Sequence, residues 1–159
     1  MNLQERLLVL TRNPILGSIA YTILKVLGIE LPRSVRLGGR VFLPHGAVGL
    51  VVHETTSLGN GVTLFQGVTV GRGDQYEPVT ENSPTGDAAG GVVIGDGAIL
   101  SAGAKVLFKT GETLTIGAGA IVGANAVVLC SVPPGEVWAG VPARKVGTVS
   151  KYGDKPRER

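Results

Sequence analysis

From Leu31 onward, hydrophobic and polar positions alternate with a period of six. Large aliphatic anchors fall at Leu31, Leu37 and Leu43, at Val52, Leu58, Leu64 and Val70, at Ile94, Leu100 and Val106, and at Ile116, Val122 and Val128. Four positions after an anchor the residue is small or β-branched: Val35, Val41, Ala47, Thr56, Val62, Val68, Ala98, Ala104, Ala120, Ala126 and Val132. Glycine often follows the anchor, as at Gly38, Gly59, Gly71, Gly95, Gly117 and Gly123. A helix repeats near 3.6 residues, and hairpin sheets carry turns every 8 to 12 or so. A period of six instead predicts an all-β fold, a parallel β-helix of hexapeptide repeats with about five coils. Each hexad supplies a short strand and a corner, three hexads close a triangular coil, and coils stack about 4.8 Å apart.

Residues 1–30 follow a different period. Met1–Leu10 has a short helical pattern. A second helix is expected with Asn13 as its cap, Pro14 at its first position and Gly28 at its end. Ile15, Ile19, Ala20, Ile23, Leu24 and Leu27 fall on one face of it, and Ser18, Thr22 and Lys25 on the other. Such a face is expected to pack against the body or a sister subunit, with a membrane surface as the alternative. The chain therefore divides into a helical segment (1–30), a β-helix domain (31–133), and a C-terminal cap and basic tail (134–159), with Trp138 as a lid on the last coil.

Breaks in the period point to chemistry, because a regular repeat gains nothing from them. Leu43 to Val52 spans nine residues instead of six, and the extra three surround His45 in HGAVGLVVHE. Val70 to Ile94 spans 24 residues with turn-forming composition and no anchors, so 71–93 reads as an extruded loop. Val106 to Ile116 spans ten, a smaller bulge around Lys109–Glu112. Counting anchors in threes puts loop and bulge on one corner of adjacent coils and His45 on another. Subunits assembled through their helical faces would bring the two kinds of corner together in a cleft.

Composition narrows the function. At 159 residues the chain fits one domain. Its 25 glycines and 4% aromatics suit many tight corners around a narrow bore. The net charge of +3 is scattered, with no basic stripe interleaved with aromatics, so no nucleic-acid partner is expected. The single cysteine, Cys130, excludes an intrachain disulfide, and at a regular hexad position it reads as a buried, unreactive thiol. No signal-peptide pattern or long apolar run is present, so a cytoplasmic location is expected.

The run HGAVGLVVHETTSLGNGVTLFQGVTVG, followed by SAGAKV, IGAGAIVGANAVV and VPPGEVWAGVPARKVG, resembles the serine acetyltransferase branch of the hexapeptide-repeat acyltransferases over about residues 29–147. The resemblance implies a left-handed β-helix, a homotrimer with active sites between subunits, and acetyl transfer from acetyl-CoA to a hydroxyl. It implies no metal. It makes His45 the general base and Glu30, 15 residues earlier, its carboxylate partner. The chemistry is sound: an imidazole, ordinarily titrating near 6.5, can take the proton of an alcohol as its oxygen attacks the thioester. A carboxylate would fix the imidazole tautomer, and backbone N–H groups within Gly46–Gly49 are candidates for stabilising the oxyanion. Ala102, Gly103 and Ala124 match positions beside the pantetheine arm, and Arg144 and Lys145 are candidate phosphate contacts.

The acceptor is where the likeness departs. The family's serine-specific members commonly carry an aspartate before the histidine and an Arg-His pair in the loop. Here Pro44 precedes His45, and the loop offers Arg72, Asp74 and Glu77 with no histidine. His53, Arg72 and Asp74 are the expected acceptor-lining residues. The acceptor is a small hydroxylated molecule, a sugar unit or L-serine, with the sugar slightly favoured. Two other readings are a zinc site built from His45 and His53 of one chain plus a histidine of the next, as in carbonic anhydrase-like β-helix trimers, and a non-catalytic scaffold.

Overall fold

The computed structural model describes residues 1–74 and 90–150. Two helices, α1 (Leu3–Leu10) and α2 (Gly17–Val26), precede a series of short strands. The first turns of the repeat are β1 (Ile29–Glu30), β2 (Arg36–Leu37) and β3 (Val41–Phe42), then β4 (Leu50–Val52), β5 (Ser57–Leu58) and β6 (Val62–Leu64). The chain continues through β7 (Thr69–Arg72), β8 (Gly91–Ile94) and β9 (Ile99–Leu100), then β10 (Lys105–Phe108), β11 (Thr113–Ile116) and β12 (Ile121–Val122). It ends in β13 (Val127–Val128), β14 (Glu136–Ala139) and β15 (Arg144–Thr148).

Every third strand stacks. The first sheet has the order β1-β4-β7-β10-β13, the second joins β2, β5, β8 and β11, and the third runs from β3 through β6, β9 and β12 to β14 and β15. All pairings are parallel except β14 with β15. Register follows the hexads: Leu37, Leu58, Ile94 and Ile116 align, as do Val52, Val70 and Val106, and Leu64, Leu100 and Val122. This is a parallel β-helix with three faces.

The bore is filled by the residues the period selects. Apart from Leu37, which is half-buried, each anchor is at most 2% exposed. The small positions four residues later, from Val35 to Val132, are all buried as well. Full burial of a Leu or Val side chain contributes about 1.5–3 kcal/mol, so this two-row interior is the main source of stability. Trp138 pairs in register above Val122 and packs on the core, covering the last coil.

Several expectations change. The Asn13 carboxamide oxygen accepts from the N–H groups of Ile15 and Leu16, making a self-contained turn, so α2 starts at Gly17 instead of Pro14. The helical segment ends sooner than residue 30, because Ile29 and Glu30 already pair with Leu50 and Val51. Only part of the apolar face of α2 packs: Ala20 and Leu24 are buried, while Ile15, Ile19 and Ile23 are exposed. Cys130 is exposed, not buried, because it lies in the corner after β13 and not within a strand. The ladder continues through Arg72 and resumes at Gly91. The body of the expected loop, 75–89, lies outside the described residues, as does the expected tail from residue 151.

Candidate active site

His45 stands on the edge where the third sheet passes into the first. The turn Pro44–Ala47 carries the three extra residues, and His45, Gly46 and Ala47 take left-handed φ angles of 54°, 79° and 50°. Outside glycine such angles are uncommon and cost about 1–3 kcal/mol each. The surroundings must therefore impose this turn. Ala47 stays in the bore while His45 is thrown outward and exposed, its ring centroid 6.2 Å from that of Phe65 one coil above.

Helix α1 holds the entry to this turn. Asn2 Nδ2 donates to the Leu43 carbonyl at 2.7 Å, and the Leu43 N–H donates to Glu5 Oε1 at 3.1 Å. The other Glu5 oxygen pairs with Arg40 at 3.2 Å. Burial works to raise the Glu5 carboxyl, but the Leu43 N–H and Arg40 outweigh it and hold the group below its ordinary value. Both backbone groups of Leu43, two residues before His45, are thus gripped from the helix. Glu5→Ala leaves a buried N–H unpaired and is expected to destabilise by about 1–3 kcal/mol. Urea titration measures that loss.

Glu30, the expected partner of His45, is engaged elsewhere. Its carboxylate lies 3.3 Å from Lys25 Nζ, and both side chains are about half exposed. Lys25 is raised from its ordinary value chiefly by its hydrogen bond to Glu30. No hydrogen bond joins Glu30 to His45 in this arrangement, and Phe65 is the ring in contact with the histidine.

The donor-side candidates lie along the same edge as His45. Gly49, Gly67, Gly103 and Asn125 occupy this edge in successive coils, all with positive φ. Gly67 N–H donates to Val48 O, Gly103 N–H to Gln66 O, and Asn125 N–H to Ala102 O. A Cβ on Gly49 or Gly67 would touch the backbone of the next glycine in the stack, and one on Gly103 would fall 2.1 Å from Asn125 Oδ1. The edge is therefore a track of nearly bare backbone, with half-buried Ala102 and exposed Ala124 on it. At about 4.8 Å per coil, the steps from Gly49 to Asn125 cover about 14 Å. Lys105, which sequence reasoning did not single out, donates from Nζ to Gly67 O at 2.7 Å on this track. At its far end Val127 N–H donates to Gly140 O and Ala143 N–H to Val127 O, which brings Arg144 to the head of the edge. Lys145 instead pairs with Glu136, whose carboxyl it lowers together with the Trp138 N–H.

His53 occupies the edge between the first and second sheets, the edge from which the loop departs. Its ring meets buried Phe108 edge-on, with centroids 5.1 Å apart. The Thr55 N–H donates to His53 Nδ1 at 3.3 Å and the Thr55 hydroxyl lies at 2.9 Å, so the neutral ring carries its proton on Nε2. Burial pushes the imidazolium down from its ordinary value; Glu54 opposes this and Arg72 adds a smaller repulsion. One coil above, Arg72 Nε donates to Asp74 Oδ1 at 3.2 Å, and Thr110 N–H to Asp74 Oδ2 at 2.7 Å. The Thr110 N–H is the main reason the Asp74 carboxyl sits at about 2. Glu77 lies outside the described residues.

His45 and His53 are therefore on different edges with strand β4 between them, so a zinc site drawing both from one chain does not form. Among the described residues no three His, Cys, Asp or Glu side chains cluster as metal ligands, and no helix is long and apolar enough to cross a membrane.

Comparison with known proteins gives a consistent result, although no protein-family model matches the chain. It is 40% identical over 119 residues to the serine acetyltransferase of Bacillus licheniformis, covering 75% of this chain and 48% of that one. It is 38% identical over 120 residues to that of Mycobacterium tuberculosis, covering 76% and 46%. The solved structure of serine acetyltransferase from Brucella abortus in complex with coenzyme A superposes with a TM-score of 0.64 at 30% identity, over 83% of this chain and 48% of that one. The chain spans about half the length of the curated relatives it matches. Shared hexads, shared fold and shared sequence over the repeat place it in the serine acetyltransferase-like branch of the hexapeptide-repeat acyltransferases.

Proposed function

We propose that this protein is an acetyl-CoA-dependent O-acetyltransferase with His45 as its general base. The observation that carries the reading is the shared edge: the bare track of Gly49, Gly67, Gly103 and Asn125 leads to the corner that exposes His45. A track with few side chains accepts a thin, extended thioester arm against the glycine backbone, with Ala102, Gly103 and Ala124 alongside it. Arg144 at the head of the edge is the better placed of the two expected phosphate contacts, since Lys145 is paired with Glu136.

In the reaction, His45 takes the proton of the acceptor hydroxyl as the oxygen attacks the thioester carbon. The C–S bond then breaks, the acetyl group stays on the acceptor oxygen, and the departing CoA sulfur receives the proton from the imidazolium. Of the backbone donors near this corner, Gly46 N–H is already given to Leu43 O and Gly49 N–H to Gly28 O, so neither serves the oxyanion in this arrangement. Glu30 becomes the orienting carboxylate by exchanging Lys25 for the imidazole, an exchange between weakly held, half-exposed partners.

The assembly is a left-handed β-helix of about five coils, trimeric, with the edge of one subunit that carries His53, Arg72 and Asp74 facing the His45 edge of its neighbour. The acceptor is a small hydroxylated molecule. The relatives' activity makes L-serine the first candidate, and the pairing of Arg72 with Asp74, which occupies the loop-edge cation, favours an uncharged sugar unit. Release of free CoA from acetyl-CoA in the presence of L-serine and a panel of sugars tests this. Turnover with one class of acceptor assigns it, and no turnover with any hydroxylated acceptor refutes the reading.

A further inference from the structure

One stripe of α2, continued into the turn before it, is apolar and exposed beside the polar Ser18, Thr22 and Lys25. Ile15, Ile19, Ile23 and Val26 recur at helical spacing and are 83%, 60%, 42% and 82% exposed. The side of α2 that packs on the body needs only Gly17, Ala20 and Leu24, so the isoleucines contribute nothing to the interior of this chain. Residues 1–43 also carry Arg6, Arg12, Lys25, Arg33, Arg36 and Arg40 against Glu5 and Glu30, a formal charge of +4, whereas the whole chain carries +3. Two of these cations flank the stripe together. Arg33 Nη1 donates to Ser18 Oγ on α2, and Arg12 donates to the carbonyls of Arg33 and Val35. Burial lowers the Arg12 guanidinium from its ordinary value and the neighbouring Arg33 charge adds to that, so like charges are held close, Arg12 on backbone carbonyls and Arg33 on the Ser18 hydroxyl.

An apolar helical stripe bordered by basic side chains has the chemistry of a helix lying in a lipid interface. Charge decides between occupants. A second copy of the same face would bring the Arg12–Arg33 pair against its own copy, whereas an anionic bilayer supplies the complement to these cations. We propose that α2 and the Arg12–Arg33 pair form a peripheral docking surface for anionic lipid, seating the helical end of the β-helix, and with it the coil that carries His45, against the membrane surface.

The test is cosedimentation of the full chain with phosphatidylcholine vesicles with and without about one quarter phosphatidylglycerol, at low and raised salt. Wild type is expected to pellet with the anionic vesicles, less so at raised salt, and to stay in solution with phosphatidylcholine alone. The double variant Ile19→Ser, Ile23→Ser, and separately Ile15→Ser and Arg33→Gln, should keep the wild-type melting temperature. Loss of the two isoleucines should weaken vesicle binding about tenfold or more. Absence of pelleting, or pelleting unchanged in all these variants, overturns the proposal. So does a drop in the solution mass of the lipid-free double variant by light scattering, which would assign the stripe to a protein partner such as a second copy.

Discussion

Replacing His45 by alanine is expected to lower acetyl transfer by at least about 10²-fold, the lower end of the contribution of a general base. The loss should fall on kcat, with KM for acetyl-CoA nearly unchanged, because the proposed donor track runs along the backbone of Gly49, Gly67 and Gly103 and does not depend on the imidazole. Folding should survive the substitution. The side chain is exposed, its ring meets only Phe65 at 6.2 Å, and removing it leaves no buried group unpaired. Alanine suits the left-handed backbone somewhat less well than histidine, but the turn is imposed by its surroundings, so circular dichroism should match wild type. Partial recovery of turnover on adding free imidazole would separate a missing base from a misplaced corner. Unchanged turnover in the variant would refute the assignment.

Leu100→Ala should be the most damaging of the conservative core substitutions, at about 2–5 kcal/mol. Leu100 is fully buried at the middle of the third sheet, in register between Leu64 and Val122. Its neighbours are held by parallel ladders on both sides, so the wall cannot close on the space that the truncation leaves. Leu129→Ala is the matched control: that side chain is 57% exposed, and its loss should stay within about 0.5 kcal/mol. Urea unfolding of both variants at one protein concentration measures the difference. A Leu100→Ala cost as small as the control's would mean that the bore is not the main source of stability.

Much of this was legible along the chain because a β-helix is nearly one-dimensional. Each residue's inward or outward direction follows from its place in the hexad, and the alignment of Val52, Val70 and Val106 is counted, not folded. The interruptions were equally legible. Three extra residues at His45 can only swell one corner, and the loop and bulge share another because both follow a first-sheet anchor. Spacing could not supply partners, however. Glu30 stands 15 residues before His45 as the family resemblance requires, yet Lys25 is closer to its carboxylate at the end of α2. The packing of Phe108 on His53, and of Lys105 on Gly67, joins residues from separate coils that no local pattern connects.

Helix α1 shows the same limit. Asn2 and Glu5 reach across 41 and 38 residues to the two backbone groups of Leu43, and in sequence they read only as the polar start of a short helix. The apolar period of α2 was clear, but how much of it the body would cover was not, since Gly17, Ala20 and Leu24 suffice to seat it.

The sequence by itself determined the period, the inward rows, the edge on which His45 stands and the edge from which the loop leaves, because these depend only on counting in sixes. The tertiary structure alone decided which carboxylate meets which cation, how the histidine corner is gripped and which face of the helices stays uncovered. Those outcomes depend on distances between coils and helices far apart in the chain, where geometry selects one partner among several of the same chemistry.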